Sequence, residues 1–497
     1  MEFNEVLMVF MDISLLFQLL IGTLMGIVFG CIPGLNTAMA LALALPLTYS
    51  MEMIPAIGFL LCVYCGGLSG GSISAILLNI PGTAAAITTT FDGYPMAKKG
   101  ESMRALSLAV ISSFFGGIIS ALILTFCTSY LANFALGFGS WEYFGAAIFS
   151  LALIATLIKG SIINGFISTG IGILLSMIGP SPIDGKIRFD LGLVGLSGGI
   201  NIVVIIIGVF AVSELIYNVN QDMQVINKNK DDFSIKKFWL TFLEFPKHMY
   251  NVIVSAIIGT VLGILPGLGG SAASMMAYSR AKSQSKDKEL FGYGAPDGII
   301  APEAANNAVS GGAMIPSIAL GVPGSSPVAL IMSAFLVHGV TMGPLVITEQ
   351  PHILQSVFIA LIIGNIFMLL LQGLLAKYFT QVITIPKYIL FPTITSFCAI
   401  GTYIVNGSMF NVYLMLIIGL FALFLSKNGF PLQPIVMGFT LGAIVEEHYR
   451  KSMIYYGSFG EAFNTWSIGT WLVILAIIIP FIVIVRRIIG TTKSIKK

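Results

Sequence analysis

One glycine-proline pattern occurs twice in this chain, each time inside a long apolar stretch. The first copy, Gly-x-x-x-Gly-x-x-Pro-Gly-Leu, runs from Gly26 to Leu35, and the second runs from Gly259 to Leu268 with the same spacing. Proline removes a backbone donor and glycine adopts dihedral angles closed to other residues, so Pro-Gly ends one helix and lets another begin. Helices broken at matching points of two halves of a membrane protein are typical of secondary transporters.

Both copies continue into a second shared pattern, a Ser-Gly-Gly triplet followed by a Pro-Gly pair and a hydroxyl residue. The sequence therefore predicts two related repeats that superpose over residues 20–100 and 256–345. We expect the repeats to be inverted, because an odd number of spans should separate them. The candidate substrate- or ion-binding residues of this second pattern are Ser69, Gly70, Gly71, Pro81, Gly82 and Thr83 in the first repeat, and Ser310, Gly311, Gly312, Pro323, Gly324 and Ser325 in the second.

The bilayer must be the solvent for this chain, because 56% of its 497 residues are hydrophobic and only 9% are charged. A soluble domain carries roughly 25% charged residues. Charge-free stretches recur along the chain, and several are long enough for two elements of about 20 residues. The composition predicts an all-α polytopic membrane protein with roughly 10–13 membrane helices plus re-entrant pieces.

The longest hydrophilic stretch, residues 218–248, divides the chain. Because it precedes the second copy of the pattern, we predict a first transmembrane half at 1–217, a linker at 218–248 and a second transmembrane half at 249–497. Five basic residues follow the last apolar stretch and favour a cytoplasmic C-terminus. The side of the N-terminus stays open. The net charge of +3 does not indicate nucleic-acid binding.

Small polar residues follow each predicted break. Backbone groups that a break frees cannot face lipid, and a restarted helix offers an electropositive N-terminus that suits a carboxylate. Side-chain hydroxyl and amide oxygens can also bind Na⁺. The alternative reading is that glycine, serine and threonine only allow helices to pack closely. The candidate binding residues at these helix starts are Asn36, Thr37, Thr83, Ser271, Ser325 and Ser326.

Glu303 lies in the segment with the most distinctive polar pattern. It is the only ionisable residue from 298 to 337, and an ionisable residue within a membrane is a functional candidate by default. We predict that it carries a proton, binds a cation or caps the first turn of a helix. Asn306, Asn307 and Ser310 share one helix face with Glu303, so this polar face is expected to line a central cavity.

Further motifs are distributed along the chain, each at one position. They are Asp92-Gly93-Tyr94-Pro95 with Lys98-Lys99-Gly100, Gly185 with Arg188-Phe189, the run from Ala301 to Pro344, and Gly438 with Leu441-Gly442, Glu446 and Arg450. Together with the doubled pattern, they resemble the large permease subunit of the tripartite tricarboxylate transporter family, often called TctA. The resemblance covers essentially the whole chain. Gly269-Gly270 stand where the first repeat has Asn36-Thr37, so the two repeats are expected to contribute different ligands.

The resemblance implies a secondary active symporter for small carboxylates, citrate among them, driven by a Na⁺ or H⁺ gradient. The partners that it implies are an extracytoplasmic solute-binding protein and a small four-helix membrane subunit, all at the cytoplasmic membrane of a prokaryote. The chain has no Walker-type phosphate-binding loop, which agrees with transport without ATP. A passive channel and a membrane-embedded enzyme remain as alternatives. The four histidines show no metal-ligand spacing, so no catalytic residue, metal or cofactor is predicted.

Overall fold

The computed structural model describes residues 3–157, 161–219, 235–382, 387–404 and 407–495. Within these ranges the predicted all-α fold is confirmed, since the strands β1 (Gly179–Pro180) and β2 (Ile187–Arg188) form only a small antiparallel pair. The helices before residue 220 are α1 Phe3–Phe10, α2 Ile13–Cys31, α3 Thr37–Ala44, α4 Met53–Leu78, α5 Ile87–Met96, α6 Ser102–Ala135, α7 Ser140–Leu157, α8 Ile162–Ser176, α9 Val194–Ser197, α10 Ile202–Ile206 and α11 Ser213–Val219.

The second half of the chain repeats the alternation of long and short helices. Its central helix, α15, is buried at every residue from Gly298 to Ala319. The helices after residue 234 are α12 Ile235–Glu244, α13 Met249–Ile264, α14 Gly269–Gln284, α15 Pro296–Leu320, α16 Ser326–Val337, α17 Pro344–Glu349, α18 Pro351–Val382, α19 Lys387–Ile404, α20 Met409–Lys427, α21 Gln433–Tyr456, α22 Phe459–Phe463 and α23 Ile468–Ile495.

Eight helices in the described part of the chain are long and apolar enough to cross a membrane, by length and composition. Five shorter apolar helices accompany them. The expected 10–13 spans are therefore more than the eight long helices and no more than the long and short helices together. Large apolar side chains cover the outer surface: Phe17 of α2, Phe424 of α20 and Phe481 of α23 are 61%, 62% and 67% exposed. Apolar surface on this scale suits contact with lipid rather than water. The chain is therefore a multi-pass membrane protein.

The helices are broken at all four predicted Pro-Gly sites. Helical geometry is lost between α2 and α3, between α4 and the 3₁₀ turn Ala84–Ala86, between α13 and α14, and between α15 and α16. The breaks after α2 and α13 each contain a glycine with positive φ, Gly34 at 89° and Gly267 at 87°. A residue with a Cβ is strained in this conformation, which explains why glycine follows proline at both positions. The superposition and inversion of the two repeats stay predictions.

The two halves of the chain pack against each other through several helix pairs. α6 of the first half packs against α15 of the second, and α18 of the second half packs against α4 of the first. The short helix α1 packs on α18, while α12 packs on α6. Helices α7 and α8 contact α21, whereas α19 and α20 contact the segment from α10 to α11. This arrangement puts α4 and α15, each followed by a break, in contact with each other inside the molecule.

The predicted linker at 218–248 is helical over its last part. Residues 220–234 lie outside the described residues, but α12 occupies Ile235–Glu244 and a 3₁₀ turn leads directly into α13. Phe238 of α12 is buried between α6 and α18. The end of the linker is thus packed onto both halves, and the division of the chain at this stretch stays a prediction.

Candidate functional site

Within each half, the second break packs against the helix that precedes the first break. A Cβ added to Gly82 would lie 2.1 Å from the carbonyl oxygen of Gly30, and one added to Gly324 would lie 2.9 Å from that of Gly263. In the second half a backbone hydrogen bond also joins the two breaks, because the Gly267 N–H donates to the Gly324 carbonyl oxygen at 3.3 Å. In each half the second break is therefore packed against the backbone of the helix that leads into the first break, and in the second half the two breaks are also hydrogen-bonded to each other.

The four breaks open onto one cavity of about 800 Å³. This volume falls within the range of about 300–1,000 Å³ that is usual for small-molecule sites. Helices α3, α14 and α16 begin at its wall, and so does the turn Ala84–Ala86. Helix N-termini present free backbone N–H groups and partial positive charge, so this wall suits an anion. The predicted site residues that line the cavity are Asn36, Thr37, Thr83, Ser271, Asn306, Ser325 and Ser326.

The cavity wall carries no charged side chain among the residues that the structure describes there. A carboxylate inside it would meet no lysine or arginine among these lining residues. Each helix N-terminus acts like about half an elementary charge, so the helix starts and a cation bound nearby are the available sources of positive potential. Across the described ranges, no group of three or more His, Cys, Asp or Glu side chains is placed to hold a metal ion.

Asn306 of α15 lines the cavity and carries a buried hydrogen-bond acceptor that is unsatisfied among the described residues. Its side chain is 1% exposed, and its Nδ2 donates to the carbonyl oxygen of Leu68 at 3.0 Å. This bond fixes the orientation of the amide, because turning the group would set two oxygen atoms against each other. Its Oδ1 then has no partner among the described residues, and neither has Oγ1 of Thr83. A buried acceptor without a donor is costly, so a cation, a water or a donor group of a solute is expected beside Asn306.

The other predicted site residues lie behind the cavity wall. A Cβ added to Gly70 would lie 2.5 Å from the carbonyl oxygen of Ile27, and one added to Gly312 would lie 2.4 Å from that of Thr260. These glycines permit close helix packing, as the alternative reading of the sequence expects, and a binding role for this group stays a prediction. The predicted residues outside the cavity lining are Ser69, Gly70, Gly71, Pro81, Gly82, Glu303, Asn307, Ser310, Gly311, Gly312, Pro323 and Gly324.

Glu303 belongs to a buried polar cluster beside the cavity. Its Oε1 accepts a hydrogen bond from the Thr89 hydroxyl at 2.5 Å, and its Oε2 contacts the Ser113 hydroxyl at 3.2 Å. The Asn307 Nδ2 donates to the same Ser113 oxygen at 2.7 Å. Glu303 thus joins α15 to α5 and α6, one helical turn before Asn306. Of the predicted polar face of α15, Asn306 lines the cavity and the other three residues lie within the helix packing.

Several cavity residues were missed by the sequence analysis. Ser271, Met275 and Ser279 follow one another at four-residue intervals along α14, and all three line the cavity. Met275 and Ser279 could have been found from the predicted Ser271, because residues four positions apart lie on the same face of a helix. Phe210 and Gln433 also line the cavity, but they come from distant helices and no local pattern marks them.

Asp92 of α5 connects the first half of the chain to the second. Its Oδ1 accepts hydrogen bonds from the backbone N–H groups of Gly292, Gly294 and Ala295 at 2.8, 2.9 and 2.8 Å. Its Oδ2 accepts from the Tyr278 hydroxyl at 3.0 Å. Because Ala295 is the N-cap of α15, a carboxylate at this place also complements the dipole of the central helix.

A polytopic helical bundle with paired helix breaks around one cavity is the architecture of a membrane transport protein. Residues 16–437 match the model of the tripartite tricarboxylate transporter TctA family, and the chain belongs to this family. The resemblance inferred from the sequence motifs is thereby confirmed.

Two relatives from Agrobacterium vitis are similar to this chain, and both are described as uncharacterized. One, a 52.8 kDa protein in the TAR-I ttuC' 3' region, is 37% identical over 411 residues, which cover 82% of this chain and 81% of the relative. The other, in the TAR-II ttuC' 3' region, is 40% identical over 196 residues, which cover 39% of this chain and 81% of the relative. No solved structure matches the chain.

Proposed function

We propose that this chain is the large membrane subunit of a secondary active uptake system for small carboxylates of the tricarboxylate or dicarboxylate type. The observation that carries the proposal is the cavity of about 800 Å³, whose described lining residues carry no charged side chain. Helices α3, α14 and α16 begin at its wall. Backbone N–H groups at these helix starts bind the carboxylate. A co-transported Na⁺ or H⁺ supplies the positive charge that the described side chains of the wall lack.

The proposed system includes two further proteins, an extracytoplasmic solute-binding protein and a small four-helix membrane subunit. The family description supports this assembly, since it names a tripartite transporter. All three act at the cytoplasmic membrane of a prokaryotic cell, and the C-terminus of this chain faces the cytoplasm. The solute-binding protein delivers the carboxylate, and the chain itself catalyses no chemical reaction.

Uptake by proteoliposomes that contain the complete system tests the proposal. With an inward Na⁺ or H⁺ gradient and no ATP, we expect a small carboxylate such as citrate to accumulate above its external concentration. The physical reason is that binding in the cavity depends on the cation for positive charge. An ionophore that collapses the gradient should abolish accumulation while leaving equilibration in place.

The two alternative functions give different results in the same experiment. A passive channel equilibrates the carboxylate but never concentrates it, whatever gradient is imposed. A membrane-embedded enzyme changes the chemical identity of the carboxylate, which chromatography of the vesicle contents detects. Either result contradicts the proposed symport.

A further inference from the structure

Within the described part of the chain, Glu303 is a buried carboxyl group without a counter-charge. It is 1% exposed on α15, and its two oxygens contact the hydroxyl groups of Thr89 on α5 and Ser113 on α6. No basic side chain in the described ranges forms an ion pair with it. A buried charge that lacks a partner is costly, so the surroundings favour an uncharged state of Glu303.

The charged groups on the helices around Glu303 are engaged elsewhere. Asp92 of α5 binds Tyr278 of α14 and backbone N–H groups, and Asp297 of α15 binds His248 and Asn251. Arg104 of α6 binds Glu101 and Glu244, and Arg280 of α14 binds Asn251 and Ser255. On the elements packed against α15, the remaining titratable residues that the structure describes make no hydrogen bond or ion pair with Glu303, namely Cys62, Tyr64, Cys65, Tyr94, Cys127, Tyr130, Tyr250, Lys282 and Glu349.

The hydrogen-bond partners of Glu303 suit both of its protonation states. A hydroxyl group donates one hydrogen bond and accepts others, so Thr89 and Ser113 can donate to a carboxylate or accept from a carboxylic acid. A metal ion fits less well, since it needs several oxygen ligands around an open position. The two hydroxyls touch the carboxyl oxygens directly, and Glu303 does not line the cavity. A proton requires no such space.

We propose that Glu303 is the proton-binding site that couples carboxylate uptake to a proton gradient. This inference rests on the proposed function and specifies H⁺ as the coupling ion. A hydronium ion on one side of the membrane gives up its proton, so that one of its O–H bonds breaks while an O–H bond to a carboxyl oxygen of Glu303 forms. On the other side this bond breaks and the proton returns to water as hydronium. No electrons are exchanged. The coupling path is short, because Asn306 lies one turn further along α15, at the cavity wall, and Thr89 lies on the helix that follows the break at Thr83.

The Glu303→Gln variant of the complete system, in proteoliposomes supplied with labelled citrate from outside, tests the proposal. Glutamine keeps the shape of the protonated side chain but carries no exchangeable charge. We expect accumulation driven by an inward H⁺ gradient to fall at least about tenfold, the size of an ordinary coupling effect. Citrate exchange at equal pH and equal concentrations should continue, because the variant is fixed in the state that binds the solute.

Two further variants complete the test. Glu349→Gln removes an exposed carboxylate from α17, which packs against α15, and it should leave proton-driven accumulation unchanged. Glu303→Asp keeps a titratable group on a shorter side chain, so it should retain proton-driven accumulation with a displaced pH dependence. If the glutamine variant does not fold, the pH profile of the aspartate variant still tests whether Glu303 binds the coupling proton.

Three results would overturn the proposal. The first is proton-driven accumulation by Glu303→Gln at the wild-type rate, and the second is a wild-type pH profile for Glu303→Asp. The third is wild-type accumulation that follows a Na⁺ gradient and ignores the H⁺ gradient, which removes the proton site but leaves secondary transport intact. Wild-type protein that accumulates nothing under either gradient contradicts the proposed function as well, so the two failures are distinguishable.

Discussion

Replacement of Gly82 by alanine is expected to lower the free energy of unfolding by about 3 kcal/mol, the upper end of ordinary overpacking costs. The added Cβ would lie 2.1 Å from the carbonyl oxygen of Gly30 and 2.9 Å from the Cα of Gly71. Both are backbone atoms, so no side-chain rotation can relieve the contact. The purified protein is heated in detergent, and the fraction that stays monodisperse at each temperature measures the loss of stability.

Gly170→Ala provides the matched control for this substitution. Gly170 lies within α8, and a Cβ added there meets no atom within 4 Å. Alanine is the better helix former by about 1 kcal/mol, so the stability of this variant should be unchanged or slightly raised. Equal stability of Gly82→Ala and Gly170→Ala would show that the break after α4 does not pack tightly against α2.

Replacement of Asp92 by alanine is expected to cost about 3 kcal/mol of stability, because buried donors lose their acceptor. Three backbone N–H groups and the Tyr278 hydroxyl bind this carboxylate. The segment that leads into α15 should also open more often, since its anchor in the first half of the chain is gone. Hydrogen exchange at Gly292, Gly294 and Ala295, together with thermal unfolding, measures both effects.

Asp287→Ala is the control for the Asp92 substitution. Asp287 is an exposed carboxylate on the same connection between α14 and α15. Its removal should alter stability by less than about 0.5 kcal/mol, as for most surface substitutions. Unchanged hydrogen exchange at Gly292 to Ala295 in the Asp92→Ala variant would contradict the anchoring role.

The broken helices could be predicted from the sequence because their cause is local. Proline and glycine at Pro33-Gly34 and Pro266-Gly267 interrupt a helix wherever they stand in an apolar stretch. The polar residues that follow each break could also be placed, and Asn36, Thr83, Ser271 and Ser325 all lie at the cavity wall. Their position follows from the break itself, since a helix start has to face protein, water or solute.

The partners of Asp92 and Glu303 could not be predicted, because they come from distant parts of the chain. Asp92 binds backbone groups about 200 positions away, and backbone donors leave no mark in the sequence. Glu303 was expected at the cavity, since helical periodicity puts it on one face with Asn306. The packing of α6 against α15 decides instead which part of that face is covered.

Protection of the cavity by a carboxylate is the most direct test of the central claim. A thiol introduced by Ser271→Cys, in a Cys127→Ala background, should react with a charged methanethiosulfonate, because Cys127 is the one exposed cysteine and the other four are buried. Citrate at ten times its Kd, with the coupling ion present, should slow this reaction about tenfold. A thiol introduced by Ser283→Cys, exposed near the far end of the same helix and outside the cavity lining, should react at an unchanged rate. Equal reaction rates at position 271 with and without a carboxylate that the system transports would contradict a binding site in this cavity.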